Sequence, residues 1–551
     1  MKSENFTFFI TFFKLFLSLI SLYQIYGFKC GADQLNLNKI HINSTEEDEK
    51  RRLAVEYSDI KIGVDYNSFG KPDSMSDDNY NNLKSLIDET TKEFPKFLKV
   101  QHTDIDITGQ IENIKKACKV ESLGSGYYNY LKDNDLFIIL VFNSTFKKDV
   151  LASASYCLTH GSHPRPIIGV LHITPNLDFD KENSNKFIKH LLFHEIIHIL
   201  AFDPGLLKSL GMTKSTRSYT YISSARVLSR ARQHFNCTKL TGLALENQTE
   251  IGKPGAHWDA RYMLGDIMIS NDYIDNALSD ITLALLEDTK YYKVNYYSGN
   301  LFKFGKNKGC DFINEKCIRN NKLLFEEEFC INPGQSMCSS SKVTKGDCRV
   351  NDYSKSNITI PNYFQYFKNP NLGGFYPANF CPVADAAYSE KDYYPGNCNY
   401  GKTSHPLEYG EIFGDSSFCF LSSLTPSASS DNITTKSMCY KVECNRETKQ
   451  LVVYVGSSTF ICPTDGGITS GSGYKGILSC PRYYDICGTK TDELCNDLFD
   501  CLNKKLEVDE NSYIYSNGTN NFDRYVYTND SNLKNSYYII SIYLALLLLL
   551  L

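Results

Sequence analysis

Two runs in the first half of the chain, DLFIILVFN (residues 135–143) and RPIIGVLHITP (165–175), are apolar almost without interruption and rich in branched side chains. Runs of that length predict buried strands, and Pro175 closes the second. Earlier, IKIGVDY (60–66) alternates apolar and polar positions, which predicts a half-buried strand. DDNYNNLKSLIDETTKEFPKFLKV (77–100) instead has helical spacing, with Asp77 or Asp78 near its start and Pro95 late. NKFIKHLLFHEIIHIL (185–200) is the clearest helix, with Phe187, Leu191, Ile197 and Leu200 on one apolar face. Strands and helices interleave, so the first unit is expected to be α/β in type around a mixed sheet. No internal repeat is visible.

Length and composition extend this picture. At 551 residues the chain exceeds one ordinary core, and two or three domains are expected. Its 42% hydrophobic and 22% charged residues describe a globular protein, and a net charge of -5 offers no electrostatic footing for nucleic acid. Residues 1–27 carry Lys2, the apolar stretch FFITFFKLFLSLISLY and a small residue, Gly27, in the pattern of a secretory signal peptide. An uncleaved membrane anchor is the other reading of that stretch. Residues 28–58 are polar, include the basic pair Arg51 and Arg52, and read as a propeptide. The chain ends in YYIISIYLALLLLLL, which as a helix reaches about 22 Å, short of a hydrocarbon core of roughly 30 Å. A tail of this kind (residues 531–551) reads as the signal for a glycolipid (GPI) anchor. Ser516–Asn517–Gly518 and Asn529–Asp530–Ser531 are both candidate attachment sites.

Nineteen cysteines agree with export, and fifteen lie between Cys310 and Cys501 among Gly, Ser, Pro and Tyr. That clustering predicts a disulfide-rich, loop- and strand-rich C-terminal domain over residues 310–530. Sequons at Asn43, Asn143, Asn236, Asn247, Asn357, Asn432, Asn517 and Asn529 suit an exported glycoprotein. The odd count leaves one thiol over, and Cys30 stands apart from the others.

The candidate chemistry is HEIIHIL (194–200). Residues four apart lie one above the other on a helix, so His194 and His198 can aim imidazole nitrogens at one ion, with Glu195 at the edge of the same face. Zinc hydrolases use this set: neutral nitrogen ligands, a carboxylate to take a proton and an open position for water. With 11 histidines, chance supplies H-E-x-x-H in such a chain about once in a hundred times. A catalytic zinc needs a third protein ligand. His190 lies on the same stripe but roughly 12 Å along the axis from His198, beyond the reach of bonds of about 2 Å. It is expected to be a surface or packed histidine.

HEIIHILAF, followed some sixty residues later by KPGAHWDARYMLGDIMIS, resembles the leishmanolysin family of surface zinc metallopeptidases in the metzincin clan. The family pattern is H-E-x-x-H-x-x-G-F, an insertion, G-x-H-W and a methionine turn. On that resemblance His257 is the third ligand, Trp258 its neighbour and Met268 the Met-turn residue. Asp266 and Ile267 stand where Glu and Leu are usual, Ala201 replaces the glycine, and Tyr291 stands where Trp is common. A left-handed Ala201 would cost about 1 kcal/mol. VLASASYCLTHGSHPRPIIGVLHITP, ARQHFNCTKLTGLALENQ, ITLALLEDTKYYKVNY and FGKNKGCDF extend the likeness from about Lys61 to Cys317.

The resemblance implies an α+β metzincin-type peptidase with a mixed sheet and an active-site helix. Residues 59–200 would be its N-terminal part and 201–309 the part holding the insertion, third ligand and Met-turn, ahead of the cysteine-rich domain. It implies one Zn2+ per chain, Glu195 as base and protein or peptide substrates. It places GVLHITP at the sheet edge beside the cleft, where an extended peptide would align. It implies the disulfides Cys118–Cys157 and Cys237–Cys310, and a latency switch in which the Cys30 thiolate occupies the metal; an ordinary disulfide is the other reading of Cys30. Localisation would be the cell surface through the lipid anchor, with a secreted form as a variant. An adhesion or binding protein on the same fold is the competing function; no ligand and no Glu is missing to favour it.

Overall fold

The computed structural model describes residues 29–503 apart from 33–34, 48, 51–54, 67–68, 104, 124–130, 148, 217–218, 248–254, 271–274, 297–300, 357, 387–388, 390, 401–408, 430–433 and 488–495. The signal segment, Arg51–Arg52, the sequons at Asn357, Asn432, Asn517 and Asn529, both attachment sites and the apolar tail lie outside the described residues. Among those described, no helix is long and apolar enough to cross a membrane.

Six strands make the first sheet: β1 (Lys29–Cys30), β2 (Ile40–Ile42), β3 (Ile62–Asp65), β4 (Leu136–Phe142), β5 (Val150–His160) and β6 (Arg165–Ile173). Their order is β1–β5–β6–β4–β3, with β2 also on β5. β3, β4 and β6 run parallel, β5 returns antiparallel to β6, and β1 and β2 lie parallel to β5. The sheet is therefore mixed, as the alternation of elements predicts. β4 and β6 are buried almost throughout, the burial that unbroken apolar runs require.

The expectation for GVLHITP needs correction. Its residues 169–173 belong to β6, which is hydrogen-bonded on both sides, to β4 and to β5. The outer strand on this side is β5, built from VLASASYCLTH, whose small Ala and Ser residues give no strong apolar run. The N-terminal segment lies along it.

Helix α1 (Asp77–Thr91) begins at Ser76, whose hydroxyl accepts from the Asn79 N–H at 3.2 Å. It stops short of Pro95, which sits in a 3₁₀ turn, and FLKV departs from the helical reading because Leu98–Gln101 is a strand. Helix α2 (Ile111–Cys118) reaches β5 through the disulfide Cys118–Cys157. Helix α3 (Ser184–Leu200) packs across β5 and β6. Gly169 makes the close approach possible, because a Cβ there would collide with the Ile199 side chain. The single apolar face expected of α3 is too narrow a description. Every residue from Leu192 to Leu200 is buried, while Leu191 is only half-buried.

The C-terminal region adds an antiparallel sheet of β7 (Ser417–Ser422), β8 (Lys436–Asn445), β9 (Gln450–Val455), β10 (Ser458–Cys462), β11 (Gly467–Thr469) and β12 (Leu478–Cys480), in the order β10–β9–β8–β7–β12–β11. Cys237–Cys310 forms as expected, and six further bridges join cysteines between Cys317 and Cys487. Cys30 is in no disulfide. The largest buried cluster draws on residues from Ile60 to Leu502, so C-terminal side chains such as Tyr394 and Phe499 share a core with α3.

Candidate metal centre

His194 and His198 project from buried helix α3, and His257 arrives on an extended segment. That segment is held between two others. Trp258 bridges Leu245 on one side and Ile269 on the other, and its N–H donates to the Met268 carbonyl at 3.0 Å. Each imidazole has its Nδ1 facing a pure acceptor: the Ile267 carbonyl for His194 (2.5 Å), the Phe202 carbonyl for His198 (2.9 Å) and the Glu246 carboxylate for His257. Nδ1 must therefore carry the proton, which leaves Nε2 as a lone pair.

The Nε2 atom of His198 lies 3.0 Å from that of His194 and 3.2 Å from that of His257. Three converging lone pairs repel unless a cation lies between them. Bonds of 2.0–2.1 Å in tetrahedral geometry place nitrogens about 3.3 Å apart, so the donor set fits a zinc-sized ion. Desolvation lowers the pKa of His194 to about 3 and holds His198 well below the ordinary value, which keeps both in the neutral form a metal needs.

Cys30 completes the group. Its Sγ lies 3.4 Å from His198 Nε2, and one ligand atom from each of Cys30, His194, His198 and His257 falls within 4.8 Å of the others. The sulfur is put there by main-chain pairing. The Cys30 N–H donates to Ser270 O at 3.1 Å and that of Gly31 to Ala152 O at 2.9 Å. Further along, Lys39 pairs with Asp203 at 2.5 Å and covers the Tyr156 ring at 4.2 Å, and Ile40–Ile42 runs along Leu158–His160.

Glu195 is fully buried on α3, and the polar groups that reach its carboxylate are the Cys30 thiol and the Ala154 backbone. Burial pushes its pKa up to about 7, against the opposing pull of the Cys30 thiol, His257 and the Ala154 backbone. A buried carboxylate with no ion-pair partner among the described residues, titrating near neutrality, suits proton transfer.

Met268 is fully buried in the main core. Its turn is fixed by Asp266, the residue standing where Glu is usual. The Asp266 carboxylate accepts from the Met268 N–H at 2.8 Å and from the Thr282 hydroxyl, which itself accepts from Trp258 Nε1 at 2.8 Å. Ala201 carries no left-handed strain, since its φ is -168°. The chain leaves α3 through two bonds to the Ile197 carbonyl, from Ala201 and Phe202, each 3.1 Å, so glycine is dispensable there. His190 stays outside the cluster. It is a packed histidine, with Nδ1 2.7 Å from the Tyr394 hydroxyl and its ring stacked on Phe499. Tyr291 donates its hydroxyl to Pro164 O at 2.8 Å. Glu246 escaped the sequence reading, because a lone Glu before Asn247 carries no spacing signal.

A family model described as leishmanolysin matches residues 75–493. A leishmanolysin homolog of Crithidia fasciculata is 26% identical over 427 residues, covering 74% of this chain and 63% of that protein. Leishmanolysin of Leishmania tropica is 25% identical over 403 residues, covering 69% and 58%. The ciliated left-right organizer metallopeptidase of Danio rerio is 28% identical over 396 residues, covering 66% and 58%. This chain therefore spans less than two thirds of the length of each of these three relatives.

Proposed function

This chain belongs to the leishmanolysin family, and we propose that it is a zinc-dependent endopeptidase acting on proteins or peptides outside the cell. The observation that carries the reading is the convergence of three Nε2 lone pairs beside the buried carboxylate of Glu195. His194, His198 and His257 would hold one zinc through Nε2, with Met268 in the wall beneath. When bound, zinc supplies Lewis acidity and makes water easier to deprotonate. Glu195 takes the proton of the attacking water on a carboxylate oxygen and hands it to the leaving amine. The outer side of β5, once cleared of residues 29–42, offers main-chain groups to an extended peptide.

Cys30 is the latch of this reading: its sulfur, 3.4 Å from His198 Nε2, would take the place of the attacking water at the metal. Full-length protein should contain one zinc per chain and be inert, and removal of residues up to about Arg52, or a mercurial, should switch on peptide hydrolysis. Cys30→Ser should raise the activity of the uncleaved precursor at least tenfold; a precursor just as inert as before would assign latency to the covered strand alone. A chain without zinc, or with zinc but no hydrolysis after cleavage, would sink the peptidase reading. Placement at the cell surface follows if the apolar tail is exchanged for a glycolipid. Phospholipase should then release the protein from cells, and a mature C terminus still carrying the leucine run would refute the anchor.

A further inference from the structure

Glu246 and His257 face each other across a short antiparallel ladder. The Glu246 N–H donates to the His257 carbonyl at 3.0 Å, Gly255 donates to the Glu246 carbonyl at 3.0 Å, and Asp259 donates to the Ala244 carbonyl at 3.1 Å. This pairing brings the Glu246 carboxylate onto His257 Nδ1, with both side chains buried. The other two histidines have main-chain carbonyls in this role and sit on a packed helix that limits their rings. His257 has no such helix. At its Nδ1 the third imidazole meets a side chain, the Glu246 carboxylate, rather than a main-chain carbonyl.

Gly255 makes room for that side chain. A Cβ at residue 255 would land on Cγ, Cδ and Oε1 of Glu246. Gly255 is not among the residues with positive φ, so what the position demands is space rather than a left-handed backbone. The glycine two residues before the third histidine thus has a physical reason: it leaves a slot that the carboxylate fills.

We propose that Glu246 is a positioning residue for the metal, holding the proton on His257 Nδ1 and so presenting Nε2 as a lone pair, and that Gly255 serves to admit it. The proposal rests on the zinc reading above. A carboxylate behind an imidazole also makes the ligand more basic, and loss of such partners typically weakens metal binding 10- to 100-fold.

The test is zinc affinity of the full chain, measured by chelator competition at fixed pH for the unaltered protein, Glu246→Gln, Glu246→Ala and Gly255→Ala. Glu246→Gln keeps an acceptor without the charge and should lose about tenfold; Glu246→Ala should lose about 100-fold. A merely space-filling role would leave the isosteric Glu246→Gln at full affinity, so its tenfold loss is the result that reports the charge behind the imidazole. Gly255→Ala should weaken binding by displacing the carboxylate, and adding Glu246→Gln to it should cost little more. If Glu246→Ala does not fold, Glu246→Gln and Gly255→Ala still decide the matter. Folded Glu246→Gln and Gly255→Ala proteins that bind zinc within twofold of the unaltered chain would overturn the proposal and leave the peptidase reading standing. An unaltered chain that binds no zinc would overturn both.

Discussion

Glu195→Gln is expected to keep its zinc and lose nearly all hydrolysis. The substitution is isosteric, and the three Nε2 atoms that make the metal site are held by Ile267, Phe202 and Glu246, none of which it touches. What disappears is the group that takes a proton. An amide at this position can accept a hydrogen bond but cannot remove the proton from water at neutral pH. General-base assistance contributes about 10²- to 10⁴-fold, so kcat should fall at least 100-fold. The amide oxygen can still accept from the Ala154 backbone, so the substitution leaves the fold around the site in place. Metal content and peptide hydrolysis measured on the same cleaved sample separate the two effects. Retention of more than a few per cent of activity would remove Glu195 from the role of base.

His257→Ala should lose both zinc and activity, whereas His190→Ala should lose neither. In protein cleaved free of Cys30, two helix ligands alone leave the ion with two protein bonds where a catalytic site needs three. The same change strands the Glu246 carboxylate in a buried site, at a further cost to stability of about 1–3 kcal/mol. His190 lies on the same helix, yet its ring is committed to Tyr394 and Phe499. Removing it opens a cavity and takes one hydrogen-bond partner from the Tyr394 hydroxyl, which keeps Asn276, so the unfolding midpoint should fall while zinc stoichiometry stays at one. Equal zinc loss from the two variants would overturn the assignment of ligands.

These contrasts also show which parts of the site the sequence makes legible. His194, Glu195 and His198 are readable because helical geometry turns a spacing of four into a shared face. His257 lies 59 residues beyond His198, and only the family likeness points to it. Glu246 approaches His257 by strand pairing, which leaves no periodic trace. In the sheet, the unbroken apolar run of β6 already described a strand covered on both faces, and the edge assignment taken from resemblance was displaced by β5. That strand was hard to see because Ala152, Ser153, Ala154 and Ser155 are small and mix polar with apolar. The reach of α1 was overestimated because FLKV continues its apolar spacing, whereas the chain tightens into a 3₁₀ turn at Phe94–Lys96 and then extends as a strand. The cost expected at Ala201 does not arise, because the backbone leaves the helix in an extended conformation rather than a left-handed one.

Among the contacts that the described part of residues 29–42 makes with the rest of the molecule, two lie well apart, the sulfur at the histidines and the Lys39 clamp with its short strand. While the chain is intact, both are ligands on a tether, and a short flexible tether presents its ligand at an effective concentration of about millimolar. Contacts too weak to survive between separate molecules stay occupied under that condition. A cut near Arg52 makes no contact weaker. It turns a tethered association into an ordinary bimolecular one, which dilution outside the cell then reverses. On the latency reading the inhibitor need not be strong; it would need only to be attached, and one broken peptide bond would make its release irreversible.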